Sequence, residues 1–195
     1  MKILLVSATE AELKPLRKKW SSYKKGDEYN IGGHQINVFV SGVGMLPTAV
    51  NLTKYLAGKF FDVVLNIGIA GGFKNYTNIG DVVEVISDQV YLEGAEDKEG
   101  FKSIYDLGLR TANELPFEEG VLKSSYCHQS FPEKKVRGIS LNLVHGKQSS
   151  IEKLESLKIA DVESMEGAAF FYACHQNGLK TAQIKAISNF IEPRN

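Results

Sequence analysis

One apolar run constrains the fold of this chain more than any other feature. The run is Asp62–Ile69, and it is almost uninterrupted in hydrophobic residues, as a strand must be when both faces of a parallel sheet are covered. It passes directly into Ala70-Gly71-Gly72, where small residues allow the backbone to approach a ligand closely. The sequence therefore predicts a central parallel strand that ends at a ligand-binding turn.

Predicted strands and helices alternate along the rest of the chain. Strands are predicted at 2–7, 81–87, 138–144 and 181–188, a hairpin at 29–31 and 36–40, and helices at 9–20, 47–56, 149–157 and 165–176. Such alternation is typical of an α/β fold with a mostly parallel sheet in layers. Residues 91–135 give no readable element. No repeat or linker divides the 195 residues, so we predict one domain over 1–195.

Charge and cysteine content narrow the function classes. Lys+Arg and Asp+Glu each total 23, so the chain lacks the basic excess that a nucleic-acid partner requires. The opening run Lys2–Val6 is too short for a secretion signal or a membrane span, and we expect a cytoplasmic protein without a membrane partner. Cys127 and Cys174 form neither a disulfide framework nor a metal-ligating pattern with the four histidines. Cys174 is interpreted as a buried thiol.

Two acidic segments lie next to predicted strand and helix ends. Ligands of α/β sheets bind at the carboxyl ends of strands, so these segments are candidate site residues. Glu12 comes shortly after the first strand, where its charge would repel an anion, but Thr9-x-x-Glu12 also fits a helix capping box. Glu163 and Glu166 stand before an apolar helix. Acids there complement the helix dipole, or, if the helix is central, sugar hydroxyls would satisfy a buried carboxylate.

Three further strand ends carry glycine or an amide. Ser41-Gly42-Val43-Gly44 and Gly68–Phe73 have neither the Lys and Ser/Thr of a nucleotide-phosphate loop nor the spacing of a dinucleotide fingerprint. We therefore expect an uncharged part of the ligand at these turns. The last strand ends in Ser188-Asn189, whose amide offers a donor and an acceptor. An ordinary strand-terminating asparagine explains the same residue equally well.

Together these segments resemble the nucleoside phosphorylase and nucleosidase superfamily over the whole chain. Its motifs correspond to Glu12, Ser41-Gly42-Val43-Gly44, Asn66–Gly72, Met165-Glu166 and Ile187-Ser188. Within it, the chain is most similar to the futalosine hydrolases of menaquinone biosynthesis, in Gly94–Asp97 with Gly100-Phe101, Glu163–Ala168 and Ser188–Arg194. The resemblance implies a three-layer fold with a mostly parallel mixed sheet between helices. It also implies hydrolysis of a nucleoside by water, no metal or organic cofactor, and a homodimer or higher homo-oligomer.

The resemblance assigns roles to individual residues. It makes Glu12 the general base that activates water and Glu166 the carboxylate that holds the ribose hydroxyls, with Met165 packed under the sugar. Asn189 stands where adenine-specific nucleosidases have an aspartate. An amide accepts from a protonated N7 and donates to a 6-oxo group, which suits hypoxanthine, the base of futalosine. The other expected substrate contacts are Ser41, Gly42, Ile69, Ala70, Gly71, Glu163 and Ser188.

Several alternatives stay open. A phosphorylase would need arginines around phosphate, and Ala8–Glu12 and Ile69–Phe73 contain none. A methylthioadenosine/S-adenosylhomocysteine nucleosidase or another purine nucleosidase is the second interpretation. A non-catalytic nucleoside-binding protein is the third, because the chain ends at Asn195, before the closing helix of the superfamily. Residues 91–105 are either a loop that closes a partner's pocket or a solvated turn, and His145 is either a ligand contact or simply exposed.

Overall fold

The computed structural model describes residues 1–194, which form four α-helices around a ten-stranded mixed sheet, with a separate two-stranded ribbon. The strands of the large sheet are β1 (Lys2–Ser7), β2 (Lys24–Lys25), β3 (Glu28–Ile31), β4 (His34–Val40), β5 (Val63–Gly72), β6 (Val82–Val90), β9 (Leu122–Lys123), β10 (Lys135–Ser140), β11 (Val162–Ser164) and β12 (Thr181–Phe190). The ribbon pairs β7 (Gly94–Asp97) with β8 (Gly100–Ser103). The helices are α1 (Glu10–Lys19), α2 (Met45–Leu56), α3 (Gln148–Leu157) and α4 (Gly167–Gln176).

The predicted central strand is β5, which pairs in parallel with β1 on one side and β12 on the other. The strand order across the sheet is β11-β10-β6-β12-β5-β1-β4-β3-β2, and β9 is attached to β6. Because these strands pair in parallel, the carboxyl ends of β1, β5 and β12 lie on the same side of the sheet. The predicted α/β class, with a mixed sheet between helices, is confirmed.

The core lies on both faces of the sheet, because successive side chains of a strand point to opposite faces. Leu4 and Val6 of β1 pack in one cluster with apolar residues of α2 and α4. Leu5 belongs to a second cluster, against which Leu16 of α1 packs. Cys174 of α4 is fully buried, which confirms its interpretation as a core thiol.

Several element boundaries differ from the sequence prediction. The predicted strand 138–144 is Lys135–Ser140, because pairing with β6 begins at Lys135 and the chain leaves the sheet after Ser140. The helix predicted from 165 begins at Gly167, and Val162–Ser164 form β11, which is too short to give a sequence period. β12 runs two residues beyond 188 through an irregularity between Ile187 and Asn189. Within residues 1–194, none of the helices is long and apolar enough to cross a membrane.

Candidate active site

A cleft of about 490 Å³ opens at the carboxyl ends of β1, β5 and β12. The cleft brings together acidic side chains from α1, from β11 and from the start of α4. It is also lined by the exposed apolar side chains Val43 and Ile69. Of the expected site residues, Glu12, Ile69, Ala70, Gly71, Glu163, Met165, Glu166, Ser188 and Asn189 line the cleft.

Ser41 and Gly42 are the two expected site residues that do not line the cleft. The Ser41 hydroxyl is fully buried, and it lies 3.2 Å from the Thr48 hydroxyl and 3.3 Å from the backbone oxygen of Ser7. The expected contact between this hydroxyl and substrate therefore finds no support in the geometry. The loop instead places Val43 on the cleft wall.

Glu12 is held at the cleft floor by four hydrogen bonds. Its Oε2 accepts from the Ser7 hydroxyl at 2.9 Å and from the backbone N–H and hydroxyl of Thr9 at 2.9 and 3.0 Å. Its Oε1 accepts from the backbone N–H of Ile69 at 3.1 Å. The Thr9 hydroxyl also accepts from the Glu12 backbone N–H, so the predicted capping box is confirmed. One carboxylate thus caps α1 and faces the cleft.

The same contacts set the charge of Glu12. Partial burial opposes ionisation, but the hydrogen bonds from Ser7, Thr9 and the Ile69 amide outweigh it and hold the pKa of Glu12 below its ordinary value. Glu12 is therefore ionised at neutral pH, which is the form that can accept a proton from water.

Gly68 provides the room for this carboxylate. A methyl group on Gly68 would lie 2.6 Å from Glu12 Oε1 and 3.4 Å from Lys185 Nζ. Because real side-chain carbons do not approach so closely, any larger residue at this position would displace Glu12.

Glu166 lies at the opposite side of the cleft, at the N-cap of α4. Its side chain is nearly buried, and its Oε1 accepts from the backbone N–H of Gly44 at 2.9 Å. One oxygen is thereby fixed to the loop after β4. A fixed carboxylate with a second oxygen available can bind vicinal hydroxyl groups, each of which is a donor.

Lys185 lies beneath the cleft and its side chain is only 3% exposed. Burial lowers the pKa of its ammonium, while the charges of Glu166, Glu12 and Asp88 act in the opposite direction. A cation in this position offsets the mutual repulsion of the site acids.

Asp88 extends this buried network under the start of α4. Its Oδ1 accepts from the Ser140 hydroxyl at 2.9 Å, and Ser140 in turn accepts from the backbone N–H of Ala168 at 2.7 Å. Burial raises the pKa of Asp88 to about 7, against hydrogen bonds from Ser140 and Gln183. The network fixes the first turn of α4 and with it the position of Glu166.

Asn189 and Ser188 are exposed at the irregular end of β12. The Asn189 Oδ1 accepts from the Ser188 hydroxyl at 2.8 Å, and its Nδ2 donates to the backbone oxygen of Phe190 at 2.9 Å. Both polar atoms of the amide thus have local partners in this structure.

Glu163 forms a buried pair with His145. Its Oε2 lies 2.8 Å from His145 Nδ1, and its Oε1 accepts from the backbone N–H of His145 at 3.2 Å. The pair is almost inaccessible, with side-chain exposures of 2% for Glu163 and 9% for His145. Of the two interpretations given for His145, simple exposure is excluded by this burial.

Sequence reasoning did not find Lys185, Asp88 or Gly68 as site residues. Lys185 has a detectable signal, because a lysine inside an otherwise apolar strand must have a partner. Asp88 has no local signal, and Gly68 was predicted only as part of the turn Gly68–Phe73, since the roles of both residues depend on contacts between distant elements. Within residues 1–194 no cluster of three or more His, Cys, Asp or Glu side chains is arranged to hold a metal ion.

The fold and the cleft define a class of protein. The protein has a mixed sheet between helices, with an ionised glutamate and a second, fixed glutamate near the strand ends. This arrangement is that of a nucleoside phosphorylase-like α/β protein. A family model described as the phosphorylase superfamily matches residues 2–194. The chain belongs to this superfamily.

Two curated relatives are similar to the chain at nearly equal identity. Futalosine hydrolase of Streptomyces coelicolor is 27% identical, over 81% of this chain and 68% of the relative. The 5'-methylthioadenosine/S-adenosylhomocysteine nucleosidase of Bacillus cytotoxicus is 28% identical, over 97% of this chain and 86% of the relative.

Solved structures show the same fold. The nucleosidase of Campylobacter jejuni has a TM-score of 0.78 at 17% identity, covering 100% of this chain and 88% of that chain. The futalosine hydrolase of Helicobacter pylori has a TM-score of 0.74 at 18% identity, covering 98% and 86%. At these identities the likeness establishes the fold and leaves the substrate open.

Proposed function

We propose that the protein is a purine nucleosidase that hydrolyses the N-glycosidic bond of futalosine, releasing hypoxanthine and dehypoxanthine futalosine. The observation that carries hydrolysis is the Glu12 carboxylate, which is ionised, held by four hydrogen bonds and directed to the cleft. The sequence identities to the two curated relatives differ by one percentage point, so identity alone does not decide between their substrates.

The charge of the cleft supports water as the nucleophile. Glu12, Glu163 and Glu166 line it, and none of its lining residues is an arginine or a lysine. A phosphate dianion would be repelled by these acids, whereas a phosphate site uses arginine or backbone amides. We therefore favour hydrolysis over phosphorolysis.

The proposed mechanism is dissociative. As the C–N bond stretches, positive charge develops at the anomeric carbon, and Glu166 stabilises it while holding the ribose hydroxyls. Glu12 takes a proton from water as the water oxygen adds to that carbon. Met165 and Ile69 supply apolar cleft surface for the sugar and base.

Asn189 supports the choice of a 6-oxopurine over adenine. An amide can also pair with adenine, its nitrogen donating to N7 and its oxygen accepting from the 6-amino group, but unlike a protonated aspartate it cannot transfer a proton to N7 as the base leaves. With hypoxanthine protonated at N7, the amide oxygen accepts from N7–H and the amide nitrogen donates to the 6-oxo group.

The test is a substrate comparison in phosphate-free buffer. Purified protein is incubated with futalosine, inosine and methylthioadenosine, and released base is quantified by chromatography. We expect futalosine to be the best substrate, with no dependence of the rate on added phosphate. Replacement Asn189→Asp should shift the ratio of kcat/KM values toward methylthioadenosine by about 100-fold. Wild-type release from methylthioadenosine alone would overturn the 6-oxopurine assignment.

The proposal extends to a cytoplasmic homodimer or higher homo-oligomer. Leu46 and Val50 of α2 and Tyr172 of α4 are exposed, at 76%, 41% and 41%, on two helices that pack together. Apolar side chains grouped in this way favour contact with a second copy of the chain. Light scattering of the purified protein measures the state directly, and a monomer at micromolar concentration would refute this part of the proposal.

A further inference from the structure

The proposed reaction requires a proton that Asn189 cannot supply. When the glycosidic bond breaks, its electron pair stays on the purine, and the purine must gain a proton to leave as a neutral base. An amide has no proton to give at neutral pH, and Glu12 is ionised and receives its proton on the side of the attacking water. A separate acid on the base side of the cleft is needed.

Glu163 occupies that side. A methyl group on Gly71 would lie 3.3 Å from both Glu163 Cγ and Asn189 Nδ2, so the two side chains pack against the same point of β5. Glu163 lines the cleft although only 2% of it is exposed. A ligand edge that contacts the Asn189 amide therefore lies beside the Glu163 side chain, whose two carboxyl oxygens contact His145.

His145 connects Glu163 to a second cavity. The ring of His145 lines an outer cleft of about 400 Å³ together with Tyr91, Asn142 and Lys153. The Tyr91 ring centroid lies 5.5 Å from that of His145. The Glu163–His145 pair thus lies between two cavities, with Glu163 lining the proposed base site and His145 lining the outer cleft.

We propose that Glu163 is the acid that protonates the departing purine and that His145 is the positioning residue that returns a proton to it. This rests on the proposed function. The Glu163–His145 pair shares one proton, which passes to purine N7 as the bond to the sugar breaks. Asn189 then accepts from N7–H. After release, Glu12 gives its proton to solvent and His145 regains one from solvent in the outer cleft, so both groups return to their starting states and no net proton is consumed.

The charges around Glu163 are compatible with this role. Burial raises the pKa of the Glu163 carboxyl, and the hydrogen bonds and charge of His145, together with the charge of Arg194, oppose that effect. His145 lies on the segment after β10 and Arg194 follows β12, while Tyr91 follows β6 and packs against the imidazole. A raised pKa keeps the acid protonated to higher pH than an exposed glutamate would allow.

The test compares two leaving groups. Inosine and futalosine need protonation of the base, whereas a p-nitrophenyl riboside departs as a stable anion and still needs Glu12 and Glu166. For Glu163→Gln, which preserves size, we expect kcat for the purine nucleosides to fall by about 100-fold or more. For the nitrophenyl riboside we expect a change of less than about threefold. Equal losses on both substrates, or no loss on either, would overturn the proposal.

His145→Asn is the second variant, because asparagine keeps a donor near the Nδ1 position but does not titrate. We expect it to move the alkaline limb of the kcat profile for futalosine and to leave the profile for the nitrophenyl riboside unchanged. A purely structural His145 would leave both profiles in place. Thermal unfolding verifies that each variant is folded. A wild-type protein that releases no purine would refute the proposed function itself, a result that is recognised before any variant is made.

Discussion

Replacement of Lys185 by methionine tests whether a buried cation sets the ionisation of the site acids. Lys185 Nζ and Glu12 Oε1 would both contact a methyl group on Gly68, at 3.4 and 2.6 Å. The two charged atoms are therefore no more than about 6 Å apart, and at an effective dielectric constant of about 20 their attraction is worth about 3 kcal/mol. That energy corresponds to about two pKa units for Glu12.

The expected result is a shift in pH dependence. The hydrogen bonds from Ser7, Thr9 and Ile69 that lower the pKa of Glu12 remain in Lys185→Met, so the acidic limb of kcat/KM should move upward by the loss of the cation alone, at most about two pH units. The sign follows because loss of a nearby cation disfavours the carboxylate. Activity near pH 8, where Glu12 stays ionised, should fall much less than activity near pH 5. The matched control Lys185→Arg retains the charge and should leave the limb in place.

The assay is kcat/KM for base release measured between pH 4.5 and 9, since this parameter reports ionisation in the free enzyme. Thermal unfolding at pH 8 accompanies it, because removal of one partner from a buried charge cluster costs about 3–5 kcal/mol. A uniform loss of activity at every pH, with the acidic limb unmoved in a folded variant, would refute the electrostatic role of Lys185.

Three further predictions concern single positions. Gly68→Ala should displace Glu12 and lower kcat by about 100-fold, and because the displaced carboxylate also caps α1 it should cost about 1 kcal/mol of stability; retained activity contradicts the geometry. Asp88 binds its proton more tightly in the folded chain, with a pKa of about 7 against 3.8, so its stabilising contribution is full below pH 3.8 and is lost as pH rises through about 7. Asp88→Asn should reduce the pH dependence of the free energy of unfolding, measured with urea, over this pH range. An unchanged pH dependence would contradict the proposed burial of the Asp88 proton. Burial raises the pKa of the Cys174 thiol, so iodoacetamide followed by mass spectrometry should modify exposed Cys127 and spare Cys174 until unfolding.

The sequence predicted the layers of this fold because its signals there are local. The apolar run before Ala70 marks a strand buried on both faces, and the capping box at Thr9 marks the start of α1. β11 escaped prediction because three residues carry no period. Residues 91–135 gave no readable element, and there the structure has the β7–β8 ribbon and the two-residue β9. Strands this short depend on partners elsewhere in the chain for their pairing.

The cleft was predictable only in part, for a related reason. Glu12 and Glu166 stand next to strand and helix ends, so their positions follow from local structure and the order of elements. Lys185 lies in the middle of β12, and its importance depends on two neighbours that the chain brings from 19 and 173 residues away, as the difference in numbering shows. The sequence pattern of a single strand does not predict contacts between residues this far apart in the chain.

The capping box illustrates how a structural and a catalytic interpretation of one residue can both hold. Thr9 and Ser7 would stabilise α1 through Glu12 whether or not the protein were an enzyme. The same donors lower the pKa of Glu12 and leave its Oε1 beside the Ile69 amide at the cleft. In the proposed reaction the cap would hold Glu12 in place before substrate arrives, which removes the cost of ordering it during reaction. For Glu12, the structural role in the cap and the proposed catalytic role are therefore compatible, and evidence for the first does not count against the second.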